Sequence, residues 1–178
     1  YTFSVSNSQG TSLIKDRPFT AEMTRSIMLL KEKPYRPRMA DYRIGVFFTG
    51  REQLGEGAKT TVPVYYANRW DIQPSDTAAY LRGEKVKPTK QIVFYIDNTF
   101  PEKWKPYLRE GVTQWNELFE QIGFKDVVAA KDFPTDDPEF DPDNIKYSCV
   151  RYAPSSIENA MGPSWVDPRS GEILNASV

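Results

Sequence analysis

Residues Lys90–Phe124 read KQIVFYIDNTFPEKWKPYLREGVTQWNELFEQIGF, a short apolar run followed by a longer amphipathic segment. The run Ile92–Ile96 is rich in β-branched and aromatic residues, which is typical of a strand covered on both faces. Beyond a polar turn, large apolar residues recur at the spacing of one helix face, and these are Trp104, Leu108, Val112, Trp115, Phe119 and Ile122. We therefore predict a strand followed by one long amphipathic helix over about residues 102–122, which packs on a sheet through two indoles and a phenyl ring.

Both ends of the predicted helix carry terminal signals. Thr99–Glu102 matches a capping box, in which the Thr hydroxyl and the Glu carboxylate each accept from an unpaired backbone N–H. Gly123 is placed to end the helix in a left-handed conformation. Pro106 costs about 3 kcal/mol inside a helix, so the alternative is that the main helix begins at this proline.

The composition limits the classes of function. The 178 residues are 39% hydrophobic and 26% charged, which fits one globular domain or two small ones. The net charge of −1 gives no electrostatic reason to expect binding to nucleic acid, and no apolar run approaches the roughly 18 residues of a transmembrane segment. Histidine is absent, which excludes a Ser-His or Cys-His nucleophile within the chain. The single cysteine, Cys149, is expected to be a small buried hydrophobe.

A β-rich N-terminal unit is predicted for residues 1–87. Its strands are expected at Thr2–Ser6, Met23–Leu30, Tyr42–Thr49 and Thr60–Trp70. The glycine-containing stretch Gly50–Lys59 is predicted to be a mobile loop. A polar segment with a short helix at Asp76–Arg82 leads to the boundary near residue 87.

Residues 88–178 are predicted to form a second unit, a mixed twisted sheet that carries the long helix, so the fold class is α+β. After the helix, strands are expected at Asp126–Lys131, Ile145–Tyr152, Ala160–Val166 and Glu172–Val178. A turn at Asp167–Gly171 joins the last two. Pro163 cannot donate to a ladder, which places Ala160–Val166 at a sheet edge. Such an edge is either protected or binds an extended peptide as an added strand.

The loop 133–144 is acidic and contains three prolines. Its oxygen-rich side chains are those that Ca²⁺ prefers, and they are Asp136, Asp137, Glu139, Asp141 and Asp143. The spacing lacks the EF-hand order, so weak Ca²⁺ binding at 136–143 and a solvated acidic turn both stay open. A carboxylate pair for glycoside hydrolysis is a further alternative, although no spacing singles out a pair.

Four sequence blocks together resemble large secreted bacterial zinc-dependent metallopeptidases of the metzincin type. The blocks are Lys33–Arg43 (KPYRPRMADYR), Ile92–Asp97, Trp104–Asn116 (WKPYLREGVTQWN) and Asp167–Ile173 (DPRSGEI). The family's zinc site, an H-E-x-x-H helix with a further His, has no counterpart in this chain and lies downstream of these blocks in the family. The resemblance therefore implies a piece of a longer protein: the end of a β-rich domain and the first half of a catalytic domain.

The resemblance implies a role for this piece as scaffold and substrate cleft. In the family, an edge strand antiparallel to the bound substrate borders the cleft, and Ala160–Val166 matches it by order. The implied peptide-binding residues are Ala160, Met161, Gly162, Pro163, Ser164 and Trp165. No catalytic residue, metal ligand or cofactor is expected in this chain, whereas the parent protein would bind Zn²⁺ and a peptide or protein substrate. The implied location is secreted, periplasmic or cell-surface.

The alternative comes from a different functional class. A secreted, non-catalytic module would bind a glycan or a protein through exposed aromatic residues such as Tyr65, Tyr66 and Trp70. If Ala160–Val166 lines a cleft whose lower half is missing from this chain, we expect its open edge to be protected either by self-association or by masking by the N-terminal unit.

Overall fold

The computed structural model describes residues 25–55, 57, 59–154 and 159–178. In chain order the elements are β1 (Phe48–Leu54), β2 (Thr61–Ala67), α1 (Thr77–Leu81), β3 (Ile92–Ile96), α2 (Lys105–Thr113), α3 (Asn116–Gln121), β4 (Val128–Asp132), β5 (Ser148–Val150), β6 (Ser164–Asp167) and β7 (Glu172–Ala176). The fold class is α+β, as predicted. No helix among the described residues is long and apolar enough to cross a membrane.

A parallel three-stranded sheet lies at the centre of residues 88–178. Its strand order is β4-β3-β5, and β3 pairs in parallel with both neighbours. Ile92 and Ile96 at the ends of β3 are buried, in agreement with a strand covered on both faces. The helices α2 and α3 form the crossover from β3 to β4, and α2 packs against both strands. The predicted strand and helix are therefore one β-α-β unit.

The antiparallel hairpin β6–β7 continues beyond β5. A parallel bridge joins Cys149 to Ser177, and the Arg151 and Val178 amides donate at 2.7 and 2.9 Å to the carbonyls of Val178 and Cys149. These bonds place β7 next to β5 and leave β6 outermost. Both strands are shorter than predicted, because residues 160–163 and 177–178 lie outside the regular ladder.

The helical segment packs on the core through only part of the predicted stripe, since Val112 and Phe119 contact the core. The Asn116 side chain donates to the Val128 carbonyl and accepts from the Val128 amide, both at 2.8 Å. Arg109 donates at 2.7 Å to both carboxylate oxygens of Asp132. These polar contacts to β4 leave Trp104 and Trp115 43% and 60% exposed. The prediction that the two indoles anchor the core is therefore wrong.

The predicted capping box is also wrong, and the alternative start at the proline is confirmed to within one residue. Helix α2 begins at Lys105 with Pro106 in its first turn, and Trp104 at the N-cap makes no side-chain capping bond. The Thr99 amide and hydroxyl instead bond to Asp97 at 2.9 and 2.8 Å. At the other end, Gly123 has φ +88° and acts as the predicted cap.

The helix is interrupted at Gln114–Trp115, although both residues keep right-handed helical dihedrals. Just before this point, the Thr113 hydroxyl donates at 2.8 Å to the Arg109 carbonyl. Such bonding by Thr competes with the backbone ladder and bends helices. The helix predicted over about 102–122 is thus divided into two consecutive helices, α2 and α3.

The N-terminal strands are displaced from their predicted positions. An Asx turn holds the start of Tyr42–Thr49, since Asp41 accepts from the Arg43 amide and side chain. The strand therefore runs over Phe48–Leu54 and includes half of the predicted Gly50–Lys59 loop. Gly50 is accommodated there because the Tyr65 ring lies 3.3 Å from where a Cβ would be.

Two further expectations concern the first residues. Arg25–Leu30 form no strand, so that part of the predicted strand Met23–Leu30 is wrong. The predicted strand Thr2–Ser6 lies outside the described residues. The short helix α1 is confirmed, with the Asp76 carboxylate capping the Ala79 amide at 2.9 Å.

The apolar core contains residues from both sides of the predicted boundary near residue 87. Its buried members are Ala79, Val86, Ile92, Phe124, Val127 and Val128. Trp70, from the N-terminal side, packs edge-on against Phe94 of β3 with ring centroids 6.4 Å apart. The division into 1–87 and 88–178 stays a prediction, and these contacts show that the described parts of the two units share one core.

Candidate functional site

Strand β6 forms an edge of the structure. It pairs antiparallel with β7, with Ser164 opposite Ala176 and Asp167 opposite Glu172, and the register shifts between Trp165 and Val166. Among the described residues, no other strand pairs with β6. No strand of the described part of the chain therefore occupies its outer row of backbone groups, which is the row that an added strand would use.

The six residues predicted to bind substrate divide into two groups. Pro163, Ser164 and Trp165 lie at the edge, where the Pro163 carbonyl accepts from the Ser177 amide at 3.0 Å and Trp165 is half exposed. Ala160, Met161 and Gly162 precede the strand and are exposed. Ligand binding by all six residues stays a prediction.

The direction of the backbone groups follows from the Pro163 bond. In an antiparallel pair, the N–H and C=O of one residue point to the same neighbour, and successive residues alternate. Because the Pro163 carbonyl points to the β7 side, the N–H and C=O of Ser164 point away from it. Ser164 is thus the position at which a peptide would gain both a donor and an acceptor.

The turn that closes the hairpin is fixed by a buried carboxylate. Asp167 is 1% exposed, and Arg169 bonds to it through its amide at 2.8 Å and through its guanidinium at 2.7 Å. These hydrogen bonds hold the pKa of Asp167 below its usual range. Gly171 ends the turn with φ +73°, and a Cβ there would lie 2.6 Å from the Ala67 carbonyl oxygen. The turn is therefore a rigid end to the edge strand.

A second cluster of charged residues next to this turn was not predicted. The Lys31 ammonium donates to Glu172 at 2.8 Å and to Asp71 at 2.9 Å, and the Lys31 carbonyl accepts from Arg169 at 2.8 Å. The hydrogen bond to Glu172 is the larger cause that raises the pKa of Lys31. Burial pushes the pKa of Asp71 up, but bonds from Gln73 and Lys31 outweigh it and the pKa is lowered. Lys31 and Glu172 are 141 residues apart, so no local spacing could have linked them.

The acidic loop uses its carboxylates within the chain. Asp137 and Asp141 accept from the amides of Glu139 and Asp143 at 3.0 and 2.8 Å, and Asp143 pairs with Arg151. Within residues 25–55, 57, 59–154 and 159–178, no group of three or more His, Cys, Asp or Glu side chains is placed to hold a metal ion. Weak Ca²⁺ binding at 136–143 stays a prediction.

Two other candidates are also located by the structure. Cys149 is fully buried, and burial raises the pKa of its thiol to about 11, which suits a core residue and not a nucleophile. Of the three aromatic residues expected to be exposed for a glycan, only Tyr65 is, whereas Tyr66 and Trp70 are half-buried. They do not form one exposed aromatic platform.

The model of a family described as a domain of unknown function (DUF5117) matches residues 1–75. No curated protein and no solved structure matches the chain. The matched range includes the β1–β2 hairpin and Lys31, and it ends before β3.

Proposed function

We propose that this chain is the scaffold and one wall of the substrate cleft of a zinc-dependent metallopeptidase that hydrolyses peptide bonds. The observation that carries the proposal is the outer edge of β6, with which no other strand of the described residues pairs. The order of elements adds support, since the resemblance implies a first strand, a long first helix and a late edge strand that borders the cleft. In this chain β6 is the outer strand of the β6–β7 hairpin, which the Cys149–Ser177 bridge joins to β5 of the β4-β3-β5 sheet.

The edge would bind substrate as an additional strand. Backbone bonds to the outward groups of Ser164 give affinity without regard to sequence, and side-chain contacts give selectivity. Trp165 and Met161, which are 53% and 74% exposed, are the large apolar groups nearest to such a peptide. A peptide with apolar residues beside its central position is therefore the class of substrate that this wall suits.

The residues of this chain do not fit the catalytic metal. The chain contains no histidine, and its buried Cys149 is a single soft ligand with a raised pKa. Zn²⁺ sites in proteins are mostly tetrahedral sets of Cys, His and carboxylate ligands. The proposal accordingly assigns no catalytic step to these 178 residues and places the zinc ligands and the general base in the remainder of the parent protein.

The experiment starts from the reading frame that contains this sequence. An H-E-x-x-H motif within about a hundred residues beyond Val178 is expected. The protein expressed with that segment should cleave a mixed peptide library, lose activity with a chelator and regain it with Zn²⁺. The matched control replaces the Glu of the motif with Gln, which should retain zinc but abolish cleavage. A stop codon directly after Val178, or a zinc-loaded protein that cleaves no peptide, would contradict the proposal.

A further inference from the structure

Residues 27–31 of the segment Arg25–Lys31 line a cavity of about 880 Å³ together with residues of β3 and β7. Ile27 and Leu29 are each 97% exposed, whereas Met28 is 36% exposed and Leu30 is half-buried. Polar contacts near its two ends also attach the segment.

The polar contacts at the two ends of the segment differ in strength. At the first, the Ser26 hydroxyl donates to the Asp143 carbonyl at 3.1 Å and accepts from the Ile145 amide at 3.4 Å, which are long neutral contacts. At the second, Lys31 makes two charged bonds and its carbonyl accepts from the Arg169 guanidinium. Charge-assisted bonds are roughly twice as strong as neutral ones, so the Lys31 end carries most of the attachment.

The contacts of Lys31 converge on the turn of the β6–β7 hairpin. Glu172 is 5% exposed, and its amide donates to the Ser170 hydroxyl at 3.2 Å. Arg169, which donates to the Lys31 carbonyl, is the residue that holds Asp167. Lys31 thus neutralises one buried carboxylate of the hairpin and fixes the orientation of the guanidinium that binds the other.

The hairpin has few other attachments at this end. The Arg69 amide donates to Gly171 at 2.9 Å, the Ile173 amide donates to Arg69 at 2.8 Å, and Arg51 reaches the Pro168 carbonyl at 3.2 Å. All of these partners belong to the segment 25–75, as Lys31 does. The C-terminal end of β7 is bonded to β5, whereas the turn between β6 and β7 is positioned by the N-terminal part of the chain.

We propose that Lys31 is a positioning residue, which clamps the β6–β7 turn and so sets the orientation of the peptide-binding edge. The clamp joins Lys31, Glu172, Asp71 and Arg169. Its effect on substrate rests on the proposed function, whereas its effect on the hairpin does not. The N-terminal segment then contributes to the cleft wall. Loosening the clamp weakens peptide binding and leaves the catalytic groups unchanged.

Amide hydrogen exchange on this chain tests the clamp directly. Lys31→Met keeps the length of the side chain and removes its charge, and it should speed exchange of the Trp165–Ile173 amides by roughly tenfold. Lys33→Met is the matched control, because Lys33 is an exposed lysine two residues further along the chain and makes no ion pair with a described residue. Lys31→Arg should restore protection. Exchange in β3 and β4 should not change in any variant.

Two results would overturn the clamp. One is hairpin exchange that is the same in Lys31→Met and Lys33→Met, and the other is an equal increase in β3 and β4, which indicates general destabilisation. Glu172→Gln provides a second test of the clamp. If Lys31 acts through Glu172, the double variant should exchange no faster than the faster single variant.

The complete peptidase links the clamp to substrate. Lys31→Met should raise KM roughly fivefold with kcat nearly unchanged, because the edge binds the peptide but performs no chemistry. A loss confined to kcat would contradict the positioning role. If no variant, including wild type, cleaves peptides while the exchange result holds, the proposed function is wrong and the clamp stands.

Discussion

The β3–α2–α3–β4 unit and the β6–β7 hairpin are held by different kinds of contact. The first packs on an apolar core with Ile96 and Val127 fully buried. The second buries Asp167, Ser170, Glu172 and Asn175. Asp167 pairs with the nearby Arg169 and Glu172 pairs with the distant Lys31, whereas Ser170 and Asn175 make neutral hydrogen bonds. Apolar contacts tolerate small rotations, whereas paired charges fix one orientation. A peptide that binds as an added strand requires a rigid scaffold and an edge strand that is held in one orientation.

The largest expected effect is in the apolar unit. Ile96→Ala should lower the free energy of unfolding by about 4 kcal/mol, since it removes a fully buried side chain and leaves a cavity. Ile122→Ala is the matched control at a residue that is 57% exposed, and it should cost under about 1 kcal/mol. Urea denaturation measures both. Equal costs would contradict the difference in burial between Ile96 and Ile122.

The next effect is in the turn of the hairpin. Gly171→Ala should cost about 3 kcal/mol, because φ is +73° and the added Cβ would meet the Ala67 carbonyl at 2.6 Å. Gly111→Ala in α2, where nothing lies within 4 Å of the new Cβ, should instead stabilise by about 0.5–1 kcal/mol. Thermal unfolding of both variants checks the opposite signs. A tolerated Gly171→Ala would show that the turn is not rigid.

The agreement between the sequence-based predictions and the structure also differs between the β3–α2–α3–β4 unit and the β6–β7 hairpin. Residues 92–132 form one local β-α-β unit, and the apolar run of β3, the proline start and the glycine cap are signals within a few residues of what they specify. The exposure of the two indoles was missed because Asn116 and Arg109, both polar, bond the helices to β4. The displaced strand β1 was missed because glycines usually mark loops, and here a Tyr65 ring covers Gly50.

The candidate site could be predicted only in part. Pro163 indicated an edge, and the Asp167–Gly171 turn was recognisable from its proline and glycine. The clamp depends on Lys31 and Asp71, which approach Glu172 only in the folded chain. The signal that could have found it is the paired charges within the Asp167–Glu172 block, which need partners if they are buried.

The third effect depends on pH. Asp167→Asn should cost about 2 kcal/mol at pH 7, because it removes charged hydrogen bonds from a buried site. The pKa of Asp167 is lowered in the folded state, so its contribution is present above the ordinary value of 3.8 and is lost as the pH falls through the folded pKa. Wild type and variant should therefore converge in stability in strong acid. Asp132→Asn, an exposed partner of Arg109, should cost under about 1 kcal/mol and is the control.

The smallest effect concerns association of the chain. We propose that the open β6 edge favours self-association, and Met161→Lys beside it should reduce dimerisation while leaving helix content unchanged. Sedimentation and circular dichroism measure the two quantities. Lys103→Met, on the α2 side, should not alter association. A wild-type chain that is monomeric at high concentration would contradict this proposal.

The central claim is that the outer edge of β6 binds an extended peptide, and the backbone of Ser164 tests it most directly. Ser164→Pro removes the outward N–H, whereas Ser164→Ala retains it and removes only the hydroxyl. In the complete peptidase, Ser164→Pro should raise KM at least roughly fivefold and Ser164→Ala should stay close to wild type, with kcat little changed in both. Equal KM values for the two variants, with the hairpin amides still protected, would contradict the account.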